Sequence, residues 1–369
     1  MKKIAFVIII CLMTTVKVFA ADLDGKLSDY NFADISDIFE ENTGISVDFK
    51  SLVYQTAAGD SEGLLKHIGR LIVSRLLGEG LDALKGLRIL LGTAVLGGLF
   101  KNLTAGFADK ETAETGFTVY YMLIAGIAMG TYLPVVSLLE NYSEGITNIV
   151  TGSLPLMLTL ITAVGRPAQA VSYGSAVSVG SVLAVDGIRT FVVPLMKLSA
   201  VICIVNYISE EGMIEKLFNV LKTIVKYGIR TAAFGFALIT GLCRISSSLG
   251  ENALKKGMEN IVGMVPVAGD IIKGSIGTGF VIVNSIKSSA GIVFIILLLI
   301  YALLPGVKAL LTGFAFKITA GLIEPVCDKR VVELLDSLGD LTLLIFSIMF
   351  VICSIFVYSA LIFTALTIR

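Results

Sequence analysis

Five stretches of this chain run without a single charged side chain: Phe117–Leu139, Gly145–Gly165, Pro167–Val185, Ser288–Val307 and Leu341–Ile368. Each is long enough to cross a hydrocarbon core of about 30 Å as a helix of roughly 20 residues. Inside lipid every backbone N–H and C=O needs an intramolecular partner, so only helices or a closed barrel can span it. The runs are continuously apolar, without the in-out alternation of a barrel strand. Composition agrees: 55% of the 369 residues are hydrophobic and 16% are charged, against about 25% charged in a soluble domain, and mean hydropathy is +0.88. The expected fold is an all-α polytopic transmembrane helical bundle of about 8–10 membrane segments, carrying a small N-terminal extracytoplasmic helical cap.

Residues 1–20 read as a secretory signal peptide. Lys2 and Lys3 form a basic start, Ile4–Met13 an apolar core, and Val18-Phe19-Ala20 places small residues where signal peptidase reads. Lys17 makes the run short for a span, so cleavage after Ala20 is expected, the alternative being an uncleaved signal anchor. In both cases the following segment starts outside the cytoplasm. Between Asp22 and Glu62 it carries ten acidic residues against two lysines, Lys26 and Lys50, the chemistry of a solvated cap. From Leu64 to Leu84 apolar residues recur at helical spacing with Lys66, Arg70 and Arg75 between them, which predicts an interfacial or bundle-packed helix. His67, the single histidine, sits there as a surface or packing residue.

The segment 21–83 is thus an extracytoplasmic unit, and 84–116 holds a first span near Leu84–Leu103 plus a loop. With the mature N-terminus outside, alternation places a loop at Glu140–Glu144 outside and Arg166 inside. A fifth span near Thr190–Ser209 then puts Glu210–Arg230, with Lys216, Lys222, Lys226 and Arg230, in the cytoplasm. Beyond Cys243, Lys255 and Lys256 would fall outside, so either the tendency fails or Gly257–Gly277 re-enters without crossing.

Sliding the sequence on itself by 111 residues aligns Gly130 with Gly241, Ser137-Leu138 with Ser248-Leu249, Glu140-Asn141 with Glu251-Asn252, Gly152 with Gly263 and Pro155 with Pro266. It also aligns Ser178 with Ser289, Gly180 with Gly291, Pro194 with Pro305 and Lys197 with Lys308. The reading is an internal duplication, unit 1 at 117–227 and unit 2 at 228–338, followed by a C-terminal span at 339–369. Each unit would hold a Gly/Pro-interrupted central pair, the kind of place where transporters and channels put broken helices. In unit 2 this centre carries Asp270 and Lys273 among glycines, which suits either a re-entrant, pore-lining segment or a closely packed Gly-rich helix. Lys197, Lys308, Pro155, Pro266, Pro194, Pro305, Asp270 and Lys273 are therefore the candidate polar-path or helix-break residues. Lys197, Lys308 and Lys317 stand within or beside apolar helices, where a charge usually faces a bundle interior or snorkels to the interface. Asp186 and Arg189, spaced i, i+3, are expected to pair locally.

The chain carries no HExxH, P-loop or nucleophile-elbow motif in a fitting context, and one histidine cannot build a metal cluster. Gly274–Gly279 is glycine-rich but follows no strand of a βαβ unit. Cys203, Cys243, Cys327 and Cys353 are scattered singly, as apolar fillers. No catalytic, cofactor-binding or metal residues are assigned, no nucleic-acid partner is expected, and the chain reads as a non-enzyme whose first partner is the lipid bilayer.

The signal peptide, the acidic cap, the helix entering Gly86-Leu87-Arg88-Ile89-Leu90-Leu91-Gly92-Thr93, the run Asn260-Ile261-Val262-Gly263-Met264-Val265-Pro266-Val267-Ala268-Gly269 and Leu304-Pro305-Gly306-Val307-Lys308 together resemble the stage III sporulation protein AE family of endospore-forming Firmicutes. The resemblance covers essentially the whole chain. It implies a multi-pass subunit of the sporulation channel from mother cell to forespore, a secretion-like feeding apparatus needed for late forespore gene expression. It further implies residence in the mother-cell-derived outer forespore membrane. The implied partners are the other subunits of the same operon, an ATPase with ring-forming and small membrane subunits, and a forespore membrane protein. The other reading open to the sequence is a stand-alone secondary transporter of a small solute with duplicated halves.

Overall fold

The computed structural model describes residues 36–37, 39–40, 48–58, 88–96, 98, 110–163, 167–208, 214–246 and 283–367. Regular structure in them is helical: α1 (Phe49–Ala58), α2 (Lys110–Ala163), α3 (Pro167–Ser181), α4 (Val193–Ile208), α5 (Glu215–Ser246), α6 (Val283–Ile323) and α7 (Lys329–Thr367). Two π-helical stretches, Val182–Asp186 and Ile188–Val192, join α3 to α4 in one rod. Four helical runs are long and apolar enough to cross a membrane: Glu114–Ala163, Pro167–Ile208, Ser289–Ile323 and Lys329–Leu366. The helical membrane bundle read from the charge-free runs is therefore the fold found.

The rods alternate in direction. At one end, here the proximal end, Arg330 of α7 reaches Glu114 of α2 and the carbonyl of Ile208 of α4, and Tyr207 meets Ser337. At the distal end Tyr173 of α3 bonds to Ser359 of α7, and Phe236 of α5 packs edge-on against Phe356 of α7. So α2, α5 and α7 run proximal to distal, and the α3–α4 rod and α6 run back. Central among them is α7, which contacts α2, α3, α4, α5 and α6 and pairs most extensively with α6. Its sequence explains this, because Leu334, Leu338, Leu341, Ile345, Ile348, Ile352, Phe356 and Ala360 recur every three or four residues and are all fully buried. Glycines let α6 and α7 approach closely: a Cβ at Gly339 would stand 2.8 Å from Lys317 Cγ and 3.2 Å from the Gly313 carbonyl oxygen.

Two sequence-based expectations change here. The loop at Glu140–Glu144 does not exist, since α2 continues for 54 residues through it and through Pro134 and Pro155. No residue between Leu139 and Gly145 forces an exit from the helix, and Glu140 and Glu144, at i, i+4, are held by cations on the neighbouring rod. Likewise most of the expected loop Glu210–Arg230 is helix: α5 starts at Glu215 and carries Lys216, Lys222, Lys226 and Arg230 along its length. The described prolines expected to break helices, Pro155, Pro194 and Pro305, do not. Pro134 and Pro155 are exposed on α2, where the helix can yield around the missing N–H, and Pro305 is carried inside α6. Pro194 does not break its rod either: it follows the π stretch Ile188–Val192, whose capping residue Val193 donates its N–H to the Ile188 carbonyl. The wider turns make room for the proline ring that follows.

Candidate functional site

Among the described residues, three charged assemblies punctuate the apolar bundle. At mid-height, Lys197 of α4 donates from Nζ to Glu140 Oε1 at 2.8 Å, and Arg189 in the second π stretch donates to Glu144 Oε2 at 3.1 Å. These ladder rungs tie α2 to the returning rod across 57 and 45 residues of sequence. Both pairs are partly exposed. On the same level, Tyr142 donates to the Met349 carbonyl at 3.1 Å and stacks on Tyr301 with ring centroids 5.5 Å apart.

The second assembly is a seam of alternating charge across three helices. Lys222 of α5 holds Asp340 of α7, and Lys317 of α6 sits between Asp340 and Asp336 at 2.8 Å from each. The side chains are 20–52% exposed, so the seam reaches the surface.

The third is a node at the proximal end. Arg330 is 8% exposed. Its guanidinium donates to Glu114 at 3.0 Å, to Asp328 at 3.3 Å and to the Ile208 carbonyl at 3.4 Å, and lies 3.6 Å from the Phe117 ring centre. A planar fork with five donors suits such a multi-way contact in a way that an ammonium does not. Beside it Tyr120 donates to the Ala94 carbonyl at 3.0 Å, and Cys327 donates to the same oxygen at 3.1 Å. Stretch 88–96 is thereby pinned to the proximal end.

Of the residues selected from sequence, Lys197 is one half of a mid-height rung, and Pro194 closes the π stretch three residues before it. Lys308, Pro305 and Pro155 lie on α6 and α2, where they cause no break. Pro266, Asp270, Lys273 and His67 lie outside the described residues. Arg189 does not pair with Asp186, since the extra residues of the π winding turn it toward α2 and Glu144. Cys203 and Cys353 are buried, as fillers should be. Sequence reasoning missed the partners of Lys317 and the Arg330 node. Asp336 and Asp340, at i, i+4 just before the longest apolar run, were the available signal. Nothing in sequence connected them to Lys222 or Lys317. Among the described residues no group of three or more His, Cys, Asp or Glu side chains could hold a metal ion.

Comparison with known proteins matches residues 47–367 to the family model described as Stage III sporulation protein AE. Stage III sporulation protein AE of Bacillus subtilis (strain 168) is 22% identical over 277 residues, covering 73% of this chain and 69% of that protein. No solved structure matches the chain. A polytopic helical bundle with paired charges set into its apolar rods, matched by one family model over nearly all of its length after residue 46, belongs to the stage III sporulation protein AE family.

Proposed function

We propose that this chain is a multi-pass membrane subunit of the channel that links mother cell and forespore during sporulation. The supporting observation is the family match over residues 47–367, combined with a bundle whose helices suit membrane insertion. In this reading the protein sits in the mother-cell-derived outer forespore membrane, and the energy source is an ATPase partner. The other subunits of the apparatus, ring-forming and small membrane proteins and a forespore membrane protein, complete the passage that sustains late forespore gene expression. The acidic N-terminal segment, extracytoplasmic in this reading, offers a docking surface for ring subunits. Gentle affinity purification from sporulating cells is the test. Recovery of an ATPase and a ring subunit with the chain supports the proposal, and a chain that purifies alone at full stability refutes it. The Lys197→Ala, Lys308→Ala double variant is expected to lower spore yield at unchanged protein level, and normal sporulation would remove the polar-path role of these lysines.

A further inference from the structure

The rods are too long for the membrane they enter. Helix α2 has 54 residues and measures about 80 Å at about 1.5 Å per residue. To hide it in a core of about 30 Å would take a tilt of about 70°, far beyond the range of about 0–40° found in membrane proteins. Roughly half of the bundle must therefore stand outside the hydrocarbon, and the distribution of charge decides which half.

In the distal half each rod carries a charge-free segment: 145–163 on α2, 167–185 on α3 and the first π stretch, 231–243 on α5 up to Arg244, 288–307 on α6 beginning after Lys287, and 341–367 on α7. These segments lie side by side, as Tyr173 with Ser359, Phe236 with Phe356, and Gly291 against Phe363 show. At about 1.5 Å per residue, the 19 residues 145–163 rise about 28 Å, the thickness of a bilayer core. The next charge along each rod toward the proximal end is Glu144, Asp186, Arg230, Lys308 or Asp340, so the charge-free zone ends on all five. The proximal half holds the Lys222–Asp340–Lys317–Asp336 seam, with Glu333 at 43% and Lys329 at 86% exposure. Charges that open cannot rest against lipid tails, where each costs several kcal/mol or more by any scale.

We propose that lipid hydrocarbon encloses only the distal half of the bundle, bounded near the level of Glu144, Asp186, Arg230 and Lys308, which on α7 falls near Met349, about nine residues distal to Asp340, and that the proximal half stands in water. One consequence separates this placement from a plain hydropathy reading. The run Phe117–Leu139 is charge-free and exposes Val119, Met122 and Leu123, yet it lies beside the charged seam and outside the lipid. The placement rests on membrane insertion alone, not on the channel reading.

The full chain in phosphatidylcholine/phosphatidylglycerol nanodiscs tests it. Brief hydroxyl-radical footprinting of the unsubstituted protein should oxidise Met122 and spare Tyr358, both of which face outward from the bundle. Spin labels at Leu123→Cys and Val201→Cys should collide several-fold more with a water-soluble nickel chelate than labels at Val179→Cys and Leu361→Cys, which should be relaxed mainly by oxygen. All four positions are exposed, so the labels disturb no packing. The placement is overturned if Met122 is protected and the Leu123 label is oxygen-dominated, or if the distal labels meet the nickel chelate.

Discussion

At the scale of single residues, the charged contacts differ sharply in what they contribute, and burial decides the order. The Glu140–Lys197 pair is exposed by 34 and 45%, and a pair so placed in water is worth about 0–1 kcal/mol. Arg330 is different, because it is nearly buried and satisfies two carboxylates and a backbone carbonyl while lying over an aromatic face. Removing one partner of a buried charged set costs about 3–5 kcal/mol, mostly through the charges left behind. Arg330→Ala is expected to lower the thermal midpoint of detergent-purified protein by many degrees. Arg330→Lys should recover only part of the loss, since an ammonium cannot serve Glu114, Asp328 and Ile208 together. Equal midpoints for the lysine variant and the unsubstituted protein would show that charge alone matters there. The sequence marked Lys197 as unusual and offered no sign of the Arg330 node, because beyond the neighbouring Asp328 its partners, Glu114 and the Ile208 carbonyl, lie 216 and 122 residues away.

At the scale of elements, the α6–α7 hairpin sets the frame. Its helices meet through Gly313 and Gly339, where backbone and side-chain stems come within van der Waals distance. A branched side chain at Gly339 would strike Lys317 and the Gly313 carbonyl, so Gly339→Leu must push the helices apart and disturb the seam as well. A loss of about 1–3 kcal/mol or more is expected, read as a lower midpoint and broadened gel filtration, with Gly321→Ala, where nothing stands within 4 Å, as the neutral control. The π winding before Pro194 is the second element-level device. It allows the return rod to pass the proline without a break and turns Arg189 toward Glu144. Periodicity could have found the buried stripe of α7, and did find its apolar run. It could not distinguish two short spans from one long helix, because the glutamates that interrupt α2 are compatible with both.

At the scale of the whole molecule, the five rods among the described residues alternate in direction and leave much apolar surface outward, including Val171, Leu183, Phe350 and Leu361. Such a surface is unstable in water at any useful concentration. Removal of detergent below its micellar threshold is expected to precipitate the chain, whereas transfer to nanodiscs should keep it monodisperse by light scattering. A protein that stays monodisperse without either would show that the outward apolar faces close on one another.

The sequence by itself determined that the chain is helical, that it belongs in a membrane and that charges are placed sparingly along it. Those properties follow from local composition, since a charge-free run of 20 residues has few other fates. The tertiary structure alone decided where each charge goes: Lys197 to Glu140, Arg189 to Glu144, Lys317 to Asp336 and Asp340, and Arg330 to Glu114. These pairs join residues 19 to 216 positions apart, and their partners are fixed by the up-and-down order of the rods and the close approach at glycine. Hydropathy sums along one strand of chain, whereas ion pairing is settled between neighbouring helices.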